Sequence, residues 1–198
     1  MPRLNNIERI DSMIGYAFCG SFCTLSQSLE SLKSMSRAGY EIQPVMSEIT
    51  YESDTRFFAK ETFRSRVREL TGRQIIHTVK DAEPLGPASP LSAMIIAPCT
   101  GNTLAKLANG ITDSAVTMAA KAHLRQDRPL LIALATNDAM SHNLGNIGKL
   151  LMRKSVYFVP MMQDSPLGKP HSLVADFSRI EECFTAMMAG KQIRPLFC

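Results

Sequence analysis

Short apolar runs alternate along this chain with longer segments whose apolar positions recur at helical spacing. The first run, residues 13–19, reads as a buried strand and stops at Gly20-Ser21. Residues 24–38 follow as a helix closed by Gly39, and residues 41–46 as a second strand in which Pro44 withholds one ladder donor. Over residues 54–70 the apolar positions Phe57, Phe58, Phe63, Val67 and Leu70 predict a helix with a basic, solvated face. Residues 74–77 read as a third short strand, and residues 82–90, dense in Pro and Gly, as a loop or ordered turn. Residues 93–97 form the clearest strand, stopped by Pro98. A helical stretch over 100–125 breaks near Asn109-Gly110, and 130–135 is a further strong strand. Residues 143–154 then predict a helix, 155–159 a last strand and 174–189 a closing helix. Strands alternating with helices predict an α/β fold: a flavodoxin-like or Rossmann-like three-layer sandwich around a doubly wound, mostly parallel sheet.

Composition narrows the class. With 198 residues the chain suits one domain over 1–198, with a short flexible N-terminus of about residues 1–11. A net charge of +4 on scattered Lys and Arg, without aromatic interleaving, argues against a nucleic-acid partner and suits an anionic ligand. No apolar run reaches the roughly 20 residues that span a bilayer, and the N-terminus lacks a secretory core, so a cytoplasmic protein is expected. The five cysteines lack CxxC spacing. Cys19, Cys23 and Cys99 read as small apolar residues; a metal site built from them lacks a locally spaced fourth ligand, so no metal is expected.

In doubly wound sheets ligands sit beyond the carboxyl ends of the strands. Small and polar residues gather at those ends here. After the first strand come Gly20, Ser21 and Thr24, where a helix N-terminus with free N–H groups suits a phosphate, although the same residues also make an ordinary turn and N-cap. Ser47 ends the second strand. Thr100, Gly101, Asn102 and Thr103 follow the best-marked one and offer hydroxyls, an amide and backbone N–H groups to a ligand carrying a phosphate and a ring.

The run from Ile96 to Asp113 resembles the signature of the FMN-binding flavoprotein family, which includes cysteine-peptide decarboxylases, phosphopantothenoylcysteine decarboxylase and flavin prenyltransferase. Asn102 and Thr103 stand where that signature has them, Cys99-Thr100-Gly101 replaces the commoner Ala-Ser-Ala, and Gly20-Ser21 and Ser47 match phosphate-side positions. The resemblance implies FMN as cofactor, held by Gly20, Ser21, Thr24, Ser47, Thr100, Gly101, Asn102 and Thr103. It also implies a homo-oligomer, to which Met140, Met152, Met161, Met162, Met187 and Met188 could lend adaptable surface, although a core role fits them better. Further stretches at 82–87, 112–122, 136–139, 159–164, 169–170 and 174–176 resemble the branch serving dipicolinate synthesis in spore-forming bacteria. That likeness implies a B subunit working in the mother-cell cytoplasm beside a dehydrogenase-like A subunit that carries NAD(P). Together they would oxidise a dihydro- or hydroxytetrahydrodipicolinate to dipicolinate.

Departures bear on the chemistry. Family decarboxylases use a His just before the signature strand; His77 is the nearby candidate, but the Pro-rich loop sets it further from Pro98 than the family spacing. Where they carry Pro-Ala-Met-Asn, this chain has Ala135-Thr136-Asn137-Asp138, leaving Asn137 as a ligand-bonding candidate. His77 and Asn137 are thus the weak catalytic candidates, and both departures count against a stand-alone FMN-dependent decarboxylase. A dicarboxylate calls for a guanidinium, and Arg56, near the second strand's end, is the candidate; an exposed helix-start Arg is the plainer reading. A non-catalytic flavin-binding assembly module is the third possibility.

Overall fold

A computed structural model of the protein describes residues 13–86 and 91–198. The expected flexible N-terminus and the last part of the Pro-rich turn, residues 87–90, lie outside the described residues. The elements in order are β1 (Ile14–Phe18), α1 (Leu25–Arg37), β2 (Ile42–Met46), α2 (Glu48–Glu52), α3 (Lys60–Thr71), α4 (Val79–Ala82), β3 (Ala93–Cys99), α5 (Gly101–Asn109), α6 (Ala115–Leu124), β4 (Leu130–Thr136), α7 (Leu144–Leu151), β5 (Val156–Phe158), β6 (Met161–Met162), β7 (Leu173–Ala175) and α8 (Ile180–Met188).

The main sheet runs β2-β1-β3-β4, all parallel. Strict alternation divides each central strand between two layers. Met94, Ile96, Leu130, Ile132 and Leu134 face the layer of α4, α5, α6 and α7, while Ala93, Ile95, Ala97, Leu131, Ala133 and Ala135 face α1, α3 and α8. Strands apolar on both faces are what a doubly covered parallel sheet requires. The chain leaves β1 for β2 on one side and returns to β3 on the other, so the order reverses between β1 and β3.

Several expectations are corrected. The strand at 74–77 reduces to one bridge, Val45 to Ile76, which lies along the outer edge of β2. Pro44 is tolerated there because its missing donor falls on that outer edge, the side on which its carbonyl accepts from Ile76 N. The helix expected from residue 54 begins at Lys60: Asp54 Oδ1 accepts from Lys60 N at 2.8 Å and Thr55 Oγ1 from Phe57 N and Phe58 N, so short polar side chains hold 53–59 as a loop. Pro98 does not stop β3. The strand continues through the cis Ala97–Pro98 bond to Cys99, with a register shift against β4 between Ile96 and Cys99.

The last third departs most. Among the described residues seven strands make the sheet, because β6 and β7 add an antiparallel pair against the end of β4. Val174, read as helix, is in β7, and the closing helix starts at Ile180. The methionines divide: Met161 and Met187 are core, whereas Met140, Met152, Met162 and Met188 are exposed. No helix among the described residues is long and apolar enough to cross a membrane.

Candidate functional site

Three parallel strands, β1, β3 and β4, deliver their carboxyl ends to one side of the sheet, and the turns that follow line a cleft of about 940 Å³. Gly20, Ser21 and Thr24 come from the turn after β1, Thr100, Gly101 and Asn102 from that after β3, and Thr136, Asn137 and Asp138 from that after β4. The 53–59 loop adds Arg56 and Phe57, and the β6–β7 connection adds Asp164, Lys169 and Ser172. An adjoining cleft of about 620 Å³ shares Gly20, Thr100 and Asn102 and adds Ser47, Thr103 and Lys106. The eight residues expected to hold a cofactor therefore line two joined clefts at the switch point.

The turns leave backbone donors available. Ser21, Thr24 and Ser47 occupy N-cap positions, yet none makes a side-chain cap bond. The expectation that Ser21 or Thr24 caps the following helix is thus corrected: Thr24 Oγ1 donates back to the Ser21 carbonyl at 2.9 Å instead. Ser47 Oγ pairs with Thr50 Oγ1 at 2.9 Å. Uncapped N–H groups beside these turns suit a phosphate, and at the Ser47 turn Glu48 stands next to them. At α5 the cap is made, Thr100 Oγ1 accepting from Thr103 N at 3.2 Å, which fixes the turn that presents Gly101 and Asn102.

Beneath the β3 turn lies a polar cluster that the sequence does not announce. Asp138 Oδ1 accepts from Thr136 Oγ1 at 2.5 Å and from the buried Asn143 Nδ2 at 2.9 Å. Asn143 Oδ1 in turn accepts from Asn146 Nδ2 at 2.9 Å. A methyl group on Gly101 would come within 2.6 Å of Thr136, Asp138 and Asn143, so glycine is what lets α5 start against them. Burial works against the Asp138 carboxylate, but the bonds from Thr136 and Asn143 outweigh it and hold its pKa below the ordinary value. The signal available in the sequence was the polar triplet after the strong β4 run; nothing local marks Lys169 or Ser172 as neighbours of that triplet.

The other candidates are dispersed. Asn137 and Arg56 line the larger cleft and are exposed; Arg56 lies in the 53–59 loop, not at a helix start, with its guanidinium 4.8 Å from the Phe57 ring centroid. His77 lines neither cleft. Its ring stacks on Tyr51 at 3.7 Å, and Arg64 also lies over the Tyr51 ring. Lys106 pairs with Asp113 at 2.8 Å. Cys19 and Cys99 lie in the core beneath the turns, Cys19 Sγ accepting from Thr103 Oγ1 at 3.3 Å, while Cys23 is exposed. Burial pushes the Cys19 thiol up to about 11 and the Cys99 thiol well above its usual value. Among the described residues no group of three His, Cys, Asp or Glu could hold a metal ion.

Comparison with known proteins bears on the family and the fold. The Flavoprotein family profile matches residues 6–187. The dipicolinate synthase B chain of Bacillus subtilis is 37% identical over 183 residues, 92% of each chain. The crystal structure of the corresponding dipicolinate synthase B chain from Bacillus halodurans superposes with a TM-score of 0.87 at 36% identity, covering 95% of this chain and 96% of that one. The FMN-dependent cysteine decarboxylase SpaF superposes with a TM-score of 0.64 at 20% identity, over 91% of this chain and 97% of its own, a likeness of fold.

Proposed function

The chain belongs to the Flavoprotein family, and we propose that it binds FMN in the strand-end clefts and serves as the B subunit of a dipicolinate-forming enzyme. On this reading a dehydrogenase-like A subunit carrying NAD(P) completes the complex, which oxidises a dihydro- or hydroxytetrahydrodipicolinate in the mother-cell cytoplasm of a sporulating cell. The observation that carries it is the likeness to the Bacillus subtilis protein along 92% of both chains, which spans all four turns of the site.

The residues present fit FMN. Uncapped N–H groups beside Ser21, Thr24 and Ser47 would take the phosphate, in a cleft that Gly20 and Gly101 also line. Thr100, Asn102 and Thr103 would bond the ribityl chain and ring edge. When bound, the flavin supplies a two-electron acceptor. The protein's own part is to seat the dicarboxylate beside it. Arg56 has no carboxylate partner among the described residues and can engage a substrate carboxylate in a fork. Asn137, exposed in the same cleft, can bond a second polar group. The decarboxylase alternative would need a base near the flavin, and the position of His77 outside both clefts speaks against it.

Two measurements test the proposal. The purified chain, titrated with FMN, should show the shifted visible bands of bound flavin, and Asn102→Ala should weaken that binding. Mixed with a dehydrogenase-like A subunit, NAD(P) and a hydroxytetrahydrodipicolinate source, it should raise dipicolinate formation above that of the A subunit alone. Release of CO₂ by the isolated chain, with no effect on the partner, would favour the decarboxylase reading.

A further inference from the structure

Asp138 stands out among the charged groups of the larger cleft. Asp164 is paired with Lys169 at 2.7 Å, and Asp54 accepts the Lys60 N–H at 2.8 Å, so both have local partners. Asp138 is half-buried, and its two side-chain donors, Thr136 and Asn143, are neutral and both bond Oδ1. Its other oxygen receives neither of those bonds. The donors are themselves fixed: Asn143 is buried and bonded to Asn146, and Gly101 closes over the cluster without a side chain. His142 is the nearby titratable group, on the same turn as Asp138. The result is a rigid, ionised acceptor at the end of β4, in a cleft that also holds the cation Arg56 and the Lys169–Asp164 pair.

That pattern of charge has a shape. An unpaired guanidinium, Arg56, suits a carboxylate, and a fixed anion on the strand end suits a hydrogen-bond donor carried on the same ligand. We propose that Asp138 is a specificity-determining residue that accepts a hydrogen bond from the ring nitrogen of a partly reduced nitrogen-heterocycle dicarboxylate, one of whose carboxylates is taken by Arg56. The proposal rests on the dipicolinate reading above and deepens it. A partly reduced ring carries its nitrogen as an N–H, or as an imine that donates once protonated, the form that a neighbouring carboxylate favours. The aromatic pyridine presents a lone pair in the same place. Facing a fixed carboxylate, that lone pair is repelled, so the cleft holds the substrate and releases the aromatic product.

The test is calorimetric titration of the full chain, with and without FMN, by three ligands of one outline. Piperidine-2,6-dicarboxylate carries a donor at the ring nitrogen, pyridine-2,6-dicarboxylate an acceptor there, and benzene-1,3-dicarboxylate neither. The wild-type protein should bind the piperidine compound about tenfold or more tighter than the other two, as expected for a hydrogen bond to a charged group. Asp138→Asn keeps an oxygen for Thr136 and Asn143 to bond, removes the charge, and should abolish the preference. Equal binding of the three ligands by the wild type overturns the assignment of Asp138 and leaves the dicarboxylate reading standing, as does a preference that survives in Asp138→Asn. If none of the three binds, both readings fall.

Discussion

Gly101 shows how one position couples two strand ends. Its Cα lies so near Thr136 Oγ1, Asp138 Oδ1 and Asn143 Nδ2 that an added methyl would stand 2.6 Å from each. Gly101→Ala must therefore push α5 away from β4 or break the Asp138 cluster. Overpacking of this kind typically costs about 1–3 kcal/mol, a loss to be read from the urea midpoint. The thiols give a second test. Cys23 and Cys198 are exposed, and Cys19, Cys99 and Cys183 are buried. Burial raises Cys19 and Cys183 to about 11. A disulfide reagent at mildly alkaline pH should label two thiols rapidly and the other three only on unfolding. The sign of the pH effect follows. Unfolded thiols ionise near pH ~8.5 while the buried ones stay protonated, so stability from these groups is present below that pH and is lost as pH rises through it toward the folded values.

At the scale of elements, the site depends on how α5 begins. Thr100 Oγ1 accepts from Thr103 N and also donates to Thr103 Oγ1 at 3.1 Å, tying the cap to the hydroxyl that reaches Cys19. Thr100→Ala should cost about 0.5–2 kcal/mol in thermal or chemical unfolding and weaken FMN binding, whereas Thr100→Ser should restore most of both. Helix α1 is fastened to the same crest from the other layer. The buried Ser28 Oγ donates to the Ala97 carbonyl, and Tyr16 Oη donates to the Ser28 carbonyl at 3.0 Å. The carbonyl just before Pro98 is thus gripped by a helix whose own N-terminus opens on the cleft. Rigid elements on both layers hold the turns in place, as a preorganised binding site requires.

At the scale of the molecule, the antiparallel addition at the β4 edge completes the site and the fold together. The β6–β7 pair brings Asp164, Lys169 and Ser172 over the cleft, and α8 then covers one layer with Ile180, Cys183, Phe184 and Met187. Phe184 is fully buried and meets Tyr40 edge-on at 5.3 Å. Phe184→Ala should cost about 3–5 kcal/mol, a large part of the roughly 5–15 kcal/mol that holds a domain together, and should appear as a lowered melting temperature.

What could be read from the chain alone was whatever local pattern dictates. The apolar runs of β1, β3 and β4, the helical spacing of α1 and α6, the break at Gly110 and the small polar residues after each strand all express short-range preferences. Every strand expected from such runs stands in the sheet except that at 74–77. The signature over residues 96–113 was legible for the same reason, since it lies within one strand, one turn and one helix. Other features came only with tertiary structure, because they join residues far apart in sequence. Pro44 in an edge strand depends on which side of β2 lies open, and the two-residue β6 is too short to have a period. The position of His77, stacked on Tyr51 and outside both clefts, could not be read from its place in the sequence. The cleft's charge pattern brings together Arg56, Asp138 and Lys169 from three separate turns, and the Asp138 cluster explains why residue 101 is glycine. Local periodicity determined the layers and the strand ends; the long-range packing that closes the sheet decided which side chains meet there.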